Sequence, residues 1–321
     1  MKDSVILITG GTGTFGSAFL KRCIDREARE IRIFSRDERK QYDLAQKYKE
    51  YPQVKFFIGD VRDKEAVDRV VSGVNYVFHA AAMKQIPSYE SYPMEAVKTN
   101  IVGSENVLKS AINHHVNKVV FLSTDKAVAP TSMMGLTKAC MEKIALCAAK
   151  EQTTTEICIT RFCNLIASNG SVVPLFIKQI KDGLPITITD PDMSRFMMTI
   201  KDAIDLVEFA LCKGQHGDIL IKSGKLCRIG DLGEAVYNFL QVKDKHLVKI
   251  IGSRPGEKRD EFLLSEMEMN KAEMVEKHIR IPLEQEKEKE DSFVIPEKVE
   301  YAKIVDIVSM LEENFNYEKG I

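Results

Sequence analysis

The chain has 321 residues, with 46 Lys and Arg against 47 Asp and Glu and a net charge of −1. That length supports one large domain or two fused lobes, and the balanced charge argues against nucleic acid or an anionic membrane as the main partner. The first four residues lead straight into an apolar strand, too short for a signal peptide, and no apolar run reaches membrane-spanning length. Seven cysteines without a CxxC pair read as reduced thiols of a cytoplasmic protein, with neither a disulfide framework nor a metal site.

In chain order, short apolar runs alternate with amphipathic stretches. Residues 5–9, 31–35, 55–58, 76–80, 118–123 and 156–161 read as buried parallel strands, and 15–27, 64–72, 94–114 and 133–149 as helices. Repeated βα units predict an α/β fold with a doubly wound parallel sheet, a Rossmann domain over residues 1–165 to which 217–223 return. The rhythm breaks after 165, so 166–216 and 224–300 are expected to build a second, smaller α/β lobe over the carboxyl edge of the sheet. Helices are expected over 232–240 and 304–315, with 301–321 closing the chain as a helix or tail, and the charge run 284–291 reads as solvated.

Gly10, Gly13 and Gly16, with Thr12, Thr14 and Phe15 between and beside them, follow the first strand and open a helix. Glycines there let the backbone turn tightly against a pyrophosphate, and the helix N-terminus supplies N–H groups and a positive dipole end. The second strand ends in Ser35 and Arg36, with Lys40 a turn later, where an NAD enzyme places an acid for the ribose 2′-hydroxyl. That pattern favours a 2′-phosphate and hence NADP as cofactor, although Asp37 and Glu38 stand close by. Asp60 and Val61 follow the third strand and are expected beside the adenine. Ala80, Ala81 and Ala82 end the fourth, where small side chains let a cofactor lie against the backbone, and Asn100 is placed to bridge backbone groups in the helical stretch beyond.

The stretches HAAAMKQIP (79–87), PMEAVKTNIVGS (93–104), LSTDKAV (122–128), MGLTKACMEK (134–143), RFCNLIASNGSVVPLF (161–176), SRFMMT (194–199) and RPGEK (254–258) together resemble the extended short-chain dehydrogenase/reductases. Within that superfamily the chain is most similar to the C5-inverting UDP-N-acetylglucosamine 4,6-dehydratases of pseudaminic acid and capsular-sugar pathways, from about residue 8 to 261. The resemblance implies a UDP-sugar partner and a tightly bound NADP recycled within each turnover. The sugar gives up hydride from C4, loses the C5 proton and the C6 hydroxyl, and regains hydride at C6 and a proton on the opposite face of C5. The product is UDP-2-acetamido-2,6-dideoxy-L-arabino-hexos-4-ulose. Asp125 is implied to protonate the leaving C6 hydroxyl, Lys126 to move the C5 proton, Thr124 to hydrogen-bond the C4 oxygen, and Lys138 to hold the nicotinamide ribose. Lys84, Asn164, Val173, Arg195, Arg254 and Glu257 are implied to grip the substrate, the two arginines at the diphosphate or uridine ribose. A homodimer or hexamer is also implied, through the helices at 94–114 and 133–149.

The family's Tyr-x-x-x-Lys is here Met134-x-x-x-Lys138. A phenol beside an ammonium can take a proton from a sugar hydroxyl, whereas a thioether is only a weak acceptor. Cys163 and Asn169 stand where the commonest members carry a small and a basic residue, and Thr131-Ser132-Met133 also departs from the usual run. Two alternatives stay open beside first-step dehydration. One is conversion of a UDP-6-deoxy-GlcNAc-5,6-ene into the 5-inverted 4-keto-6-deoxy-L-AltNAc sugar. The other is a non-catalytic NADP or nucleotide-sugar sensor.

Overall fold

The computed structural model describes residues 1–83, 90–168, 170–242, 248–254, 256–284 and 300–319. Lys84, Asn169 and most of the 284–291 charge run lie outside the described residues.

A nine-stranded sheet forms the larger layer. Its parallel part runs β3 (Val54–Ile58), β2 (Glu30–Ser35), β1 (Val5–Thr9), β4 (Tyr76–His79), β5 (Lys118–Thr124), β6 (Glu156–Phe162) and β10 (Ile219–Ile221). The central strands are apolar along their whole length because helices cover both faces, and every residue of β1 is buried. In register, Thr9 pairs with His79, His79 with Phe121, and Thr124 with Phe162. These strands therefore end on one edge and deliver the segments after Thr9, His79, Thr124 and Phe162 to one crevice. The doubly wound Rossmann fold read from the sequence is thus observed.

The helices are α1 (Thr14–Asp25), α2 (Glu38–Lys47), α3 (Lys64–Val71), α4 (Gly103–Asn113) and α5 (Met133–Glu151). One α-helical turn, Pro93–Ala96, and a π-helical turn, Val97–Val102, lead into α4. The sequence predicts one regular helix there, and the wider turn brings Thr99 to the crevice. Helix α2, which the apolar pattern does not reveal, is capped by the Asp37 side chain accepting from the backbone N–H of Lys40.

Two stretches expected in the lobe lie with the sheet instead. Helix α7 (Ile200–Lys213) packs on α1, β5 and β6. Strands β14 (His278–Ile281) and β13 (Glu273–Val275) extend the sheet antiparallel beyond β10. Both are amphipathic elements whose apolar face had no other surface to cover. The smaller unit holds α6 (Val172–Lys181), β7 (Asn164–Leu165), β8 (Ile186–Ile188), β9 (Ser194–Met198), β11 (Lys225–Arg228), α8 (Ile229–Phe239), β12 (Val248–Ile250) and the C-terminal α9 (Ile304–Lys319), which packs along α8. It has its own core of Val173, Phe176, Ile186, Ile188, Leu232, Val236, Ile307 and Leu311. Among the described residues no helix is long and apolar enough to cross a membrane.

Candidate active site

Two cavities, of about 500 and 560 Å³, open at the carboxyl edge of the sheet. Lys126, Asn164 and Leu165 line both.

The first cavity is built on the glycine turn. Gly10 has φ +66°, and a Cβ there would come within 2.7 Å of Ala81 Cα. At Gly16 a Cβ would sit 2.4 Å from Gly11 Cα. Gly13 caps α1 with no side-chain hydrogen bond, so the first N–H groups of the helix remain available to a ligand. Thr12, Thr14, Phe15, Ser35, Arg36, Lys40, Asp60, Val61 and Ala80 to Ala82 line this cavity, as predicted from the sequence. Thr12 donates to Ser35 Oγ at 3.3 Å, and buried Gln41 ties Ser35 to the end of β3 through Phe57 O. Asp60 meets Arg62 at 2.7 Å and Arg36 at 3.6 Å. Burial pushes its carboxyl upward, but the hydrogen bonds from Arg62 outweigh this and hold it below the usual range. Thr99 Oγ1 is buried against the cavity without a hydrogen-bond partner. A glycine cradle, free helix N–H groups and an orphaned hydroxyl together fit a dinucleotide.

Behind the alanine turn lies a hydrogen-bonded stack. Thr9 Oγ1 meets His79 Nδ1 at 2.8 Å, His79 Nε2 meets Ser104 Oγ at 2.9 Å, and the backbone N–H of Ala81 donates to Thr9. Burial drives the His79 pKa down to about 3, so the ring is neutral and serves to hold the turn. Asn100 lies behind the cavity wall and does not line it. Its side chain clamps Met83 N–H at 3.0 Å and donates to Thr137 at 3.0 Å, a direct bond in place of the water bridge expected.

At the end of β5 the chain turns through Asp125–Ala127. Thr124 and Lys126 face the cavity, whereas Asp125 is fully buried and lines neither cavity. Its Oδ1 accepts from Lys126 Nζ at 3.0 Å and from Thr124 at 2.9 Å, and its Oδ2 from Asn164 at 3.3 Å. The structure thus makes Asp125 the floor under Lys126, not an acid facing the sugar. Lys126 Nζ also donates to Asn164 Oδ1 at 2.9 Å and lies 3.7 Å from Glu261.

Met134 and Lys138 sit one turn apart on α5 and both reach the first cavity. Lys138 donates to Leu122 O at 2.7 Å, and burial lowers its pKa to about 8. Cys163 also lines this cavity, and burial pushes its thiol well above the ordinary value.

The second cavity lies between α6, β8, β9 and the segment 254–261. Arg254 is exposed at its rim, and its backbone N–H donates to Glu257 Oε2 at 3.1 Å. Arg195 lines it but is committed elsewhere. Its guanidinium donates to the carbonyls of Ser194, Lys258 and Arg259 at 2.7–2.8 Å, which holds the segment bearing Arg254 and Glu257 in place. Val173 is wholly buried in the lobe core and does not line the cavity, whereas its neighbours Val172 and Pro174 do. Helical geometry sends consecutive side chains to different faces. Lys178, Lys258, Glu261 and Thr189, not singled out from the sequence, also line it. Lys178 lies two helical turns from Ser171 and was legible from that spacing. Glu261 carried no local signal.

The sequence profile described as "Polysaccharide biosynthesis protein" matches residues 6–283. This chain belongs to that family. It is 49% identical to the "UDP-glucose 4-epimerase" of Rickettsia rickettsii over 288 residues, covering 88% of this chain and 84% of that protein. The crystal structure of Pen from Bacillus thuringiensis superposes with a TM-score of 0.91 at 34% identity, covering 97% and 98% of the two chains. DesIV, a dTDP-glucose 4,6-dehydratase from Streptomyces venezuelae solved with NAD and TYD, gives 0.77 at 20% identity, covering 98% and 97%, a likeness of fold. The protein is a nucleotide-sugar epimerase/dehydratase-family enzyme with the extended short-chain dehydrogenase/reductase fold.

Proposed function

We propose that this enzyme is an NADP-dependent UDP-N-acetylglucosamine 4,6-dehydratase that inverts C5, giving UDP-2-acetamido-2,6-dideoxy-L-arabino-hexos-4-ulose. The observation that carries the reading is Lys126, the one charged side chain among the described residues that lines both cavities. A proton carrier on the shared wall suits a reaction in which hydride crosses between a dinucleotide and the adjoining sugar carbons. The bound nicotinamide supplies hydride acceptance and return. Lys138 holds the cofactor ribose and keeps positive potential under the C4 oxygen, and Thr124 donates to that oxygen. Lys126 moves the C5 proton. Arg254 and Lys178 carry the positive charge that a diphosphate requires at the rim and wall of the second cavity. Ser35, Arg36 and Lys40 at the mouth of the first, with the Asp37 carboxylate turned into the α2 cap, support a 2′-phosphate and so NADP. Hexose 4-epimerisation, the activity in the relatives' name, requires a base at the C4 hydroxyl, and Met134 offers none.

A second reading is favoured by Asp125. Because its carboxylate lines neither cavity, the acid that the family resemblance assigns to water loss is not at the sugar. Conversion of the 5,6-ene sugar needs oxidation at C4, hydride addition at C6 and protonation at C5, with no water to expel.

Incubation with UDP-N-acetylglucosamine in D2O, followed by proton NMR and mass spectrometry, tests both. Loss of one water with deuterium at C5 supports dehydration, and the ring couplings report inversion. A C4-inverted sugar of unchanged mass would mean epimerisation. No turnover with UDP-N-acetylglucosamine but turnover of the 5,6-ene sugar would select the second reading.

A further inference from the structure

Glu261 is buried, lines the second cavity and reaches the end of β5. Its Oε1 lies 3.7 Å from Lys126 Nζ, and its Oε2 lies 2.8 Å from Lys258 Nζ. Oε2 makes no further hydrogen bond. Lys258 in turn donates to Val128 O at 2.9 Å and to Ala129 O, immediately after the turn that carries Lys126. The other carboxylates are otherwise engaged: Asp125 lies beneath the wall, and Glu257 accepts from the backbone of Arg254 and from Thr189. Among the described residues, Glu261 is therefore the one cavity-lining carboxylate paired with Lys126.

We propose that Glu261 is the acid partner of Lys126 in the loss of water from C6, a catalytic carboxylate supplied by the smaller unit. The inference rests on the dehydratase reading above. Neighbouring carbons present a proton on one and a hydroxyl on the other, so elimination needs a base and an acid a few ångströms apart, as these two groups are. The pair starts as a free amine and a carboxylate. It takes up the C4 hydroxyl proton as hydride leaves C4 for the oxidised nicotinamide, and that proton rests on Glu261. Lys126 then takes the C5 proton while Glu261 gives its own to the C6 oxygen. The C5–H and C6–O bonds break, the C5–C6 double bond forms and water departs, leaving an ammonium beside a carboxylate, the ion pair observed. Once hydride has returned to C6, one proton passes from the pair to C5 and restores the starting state.

The test compares wild type, Glu261→Gln and Glu261→Ala with UDP-N-acetylglucosamine. Thermal melting and UDP binding report folding of each variant. We expect both variants to melt near wild type and bind UDP, with kcat reduced on the order of 10²-fold or more. Acetate or formate should restore part of the Glu261→Ala rate and none of the Glu261→Gln rate, since the amide still fills the space. A purely structural carboxylate would give no rescue by small acids. A folded Glu261→Gln with wild-type kcat, or a folded Glu261→Ala indifferent to acetate and formate, overturns the proposal. A wild-type enzyme inert towards UDP-N-acetylglucosamine overturns the dehydratase reading itself, an outcome distinct from a variant that keeps its rate.

Discussion

Met134 gives the first cavity a thioether at the place where its fold relatives carry a phenol, so proton transfer has to be arranged by other side chains. If Met134 only packs, a volume-conserving exchange costs less than about 1.5 kcal/mol, and Met134→Leu should keep kcat within about tenfold of wild type. Lys126→Met removes the proton carrier and should lower kcat by roughly 10² to 10⁴ with cofactor content unchanged. Steady-state kinetics on both variants, with the nucleotide released by denaturation and quantified, checks the contrast. Asp125 teaches the limit of reading adjacent residues as an acid–base pair. The dipeptide Asp125-Lys126 sits in a short turn, and consecutive side chains there diverge, one into the core and one into the cavity. Lys126 was legible because it closes a strand at the binding edge. The direction taken by Asp125 depends on Asn164, a residue 39 positions away, and nothing local encodes it.

At the scale of elements, the Lys126 turn and α5 are fitted to each other. Gly135, in the first turn of α5, lies so close that a Cβ would fall 2.3 Å from Lys126 O, with Pro130 at 3.1 Å. The neighbour is backbone, so it cannot rotate away. Gly135→Ala should displace the turn and lower kcat more than its effect on melting would suggest, since a misplacement of about 1 Å can cost on the order of 10²-fold. Comparing kcat with Tm in this variant and in Ser132→Ala, which removes the α5 cap accepting from Gly135 N–H, separates helix stability from turn placement. A cap is worth about 1 kcal/mol, so Ser132→Ala should lower Tm and spare kcat. The parallel strands and α1, α3 and α5 were legible because burial on both sheet faces and a single apolar helix stripe leave unambiguous periods. The π-helical turn before α4 was not, because its wider winding answers to the crevice that Thr99 faces and not to the apolar spacing. The short strands of the smaller unit escaped for a related reason: three residues such as Ile186–Ile188 are too few to show a period.

For the whole molecule, two histidines set the response to acid. Burial pushes His79 to about 3 and His278 to about 4, the latter also opposed by Lys222 and stacked on Phe209. Both rings are held neutral when folded, whereas in the unfolded chain they titrate near 6.5. Their contribution is therefore complete above about pH 6.5. It is lost as pH falls, down to about 4 for His278 and about 3 for His79. Each costs up to about 1.4 kcal/mol per pH unit within its window. Chemical denaturation between neutral and acid pH should show this decline, and His278→Leu should shallow it.

Arg161, on β6, is 2% exposed and meets Glu142 of α5 at 2.7 Å and Glu268 at 2.9 Å, while donating to Leu263 O at 3.0 Å. The chain from 254 to 268 is thus tied at one end by Arg195 of the smaller unit, in the middle by Lys258 against the β5 turn, and at the other end by Arg161 of the sheet. Such a tether makes the two cores mechanically dependent. If the smaller unit melted alone, it would pull on the strap that shields a buried arginine and expose charges that no longer cancel. The two halves should accordingly melt as one cooperative transition in calorimetry. Arg161→Met, which leaves two buried carboxylates without their cation at a cost of about 3–5 kcal/mol, should lower that transition and split it into two.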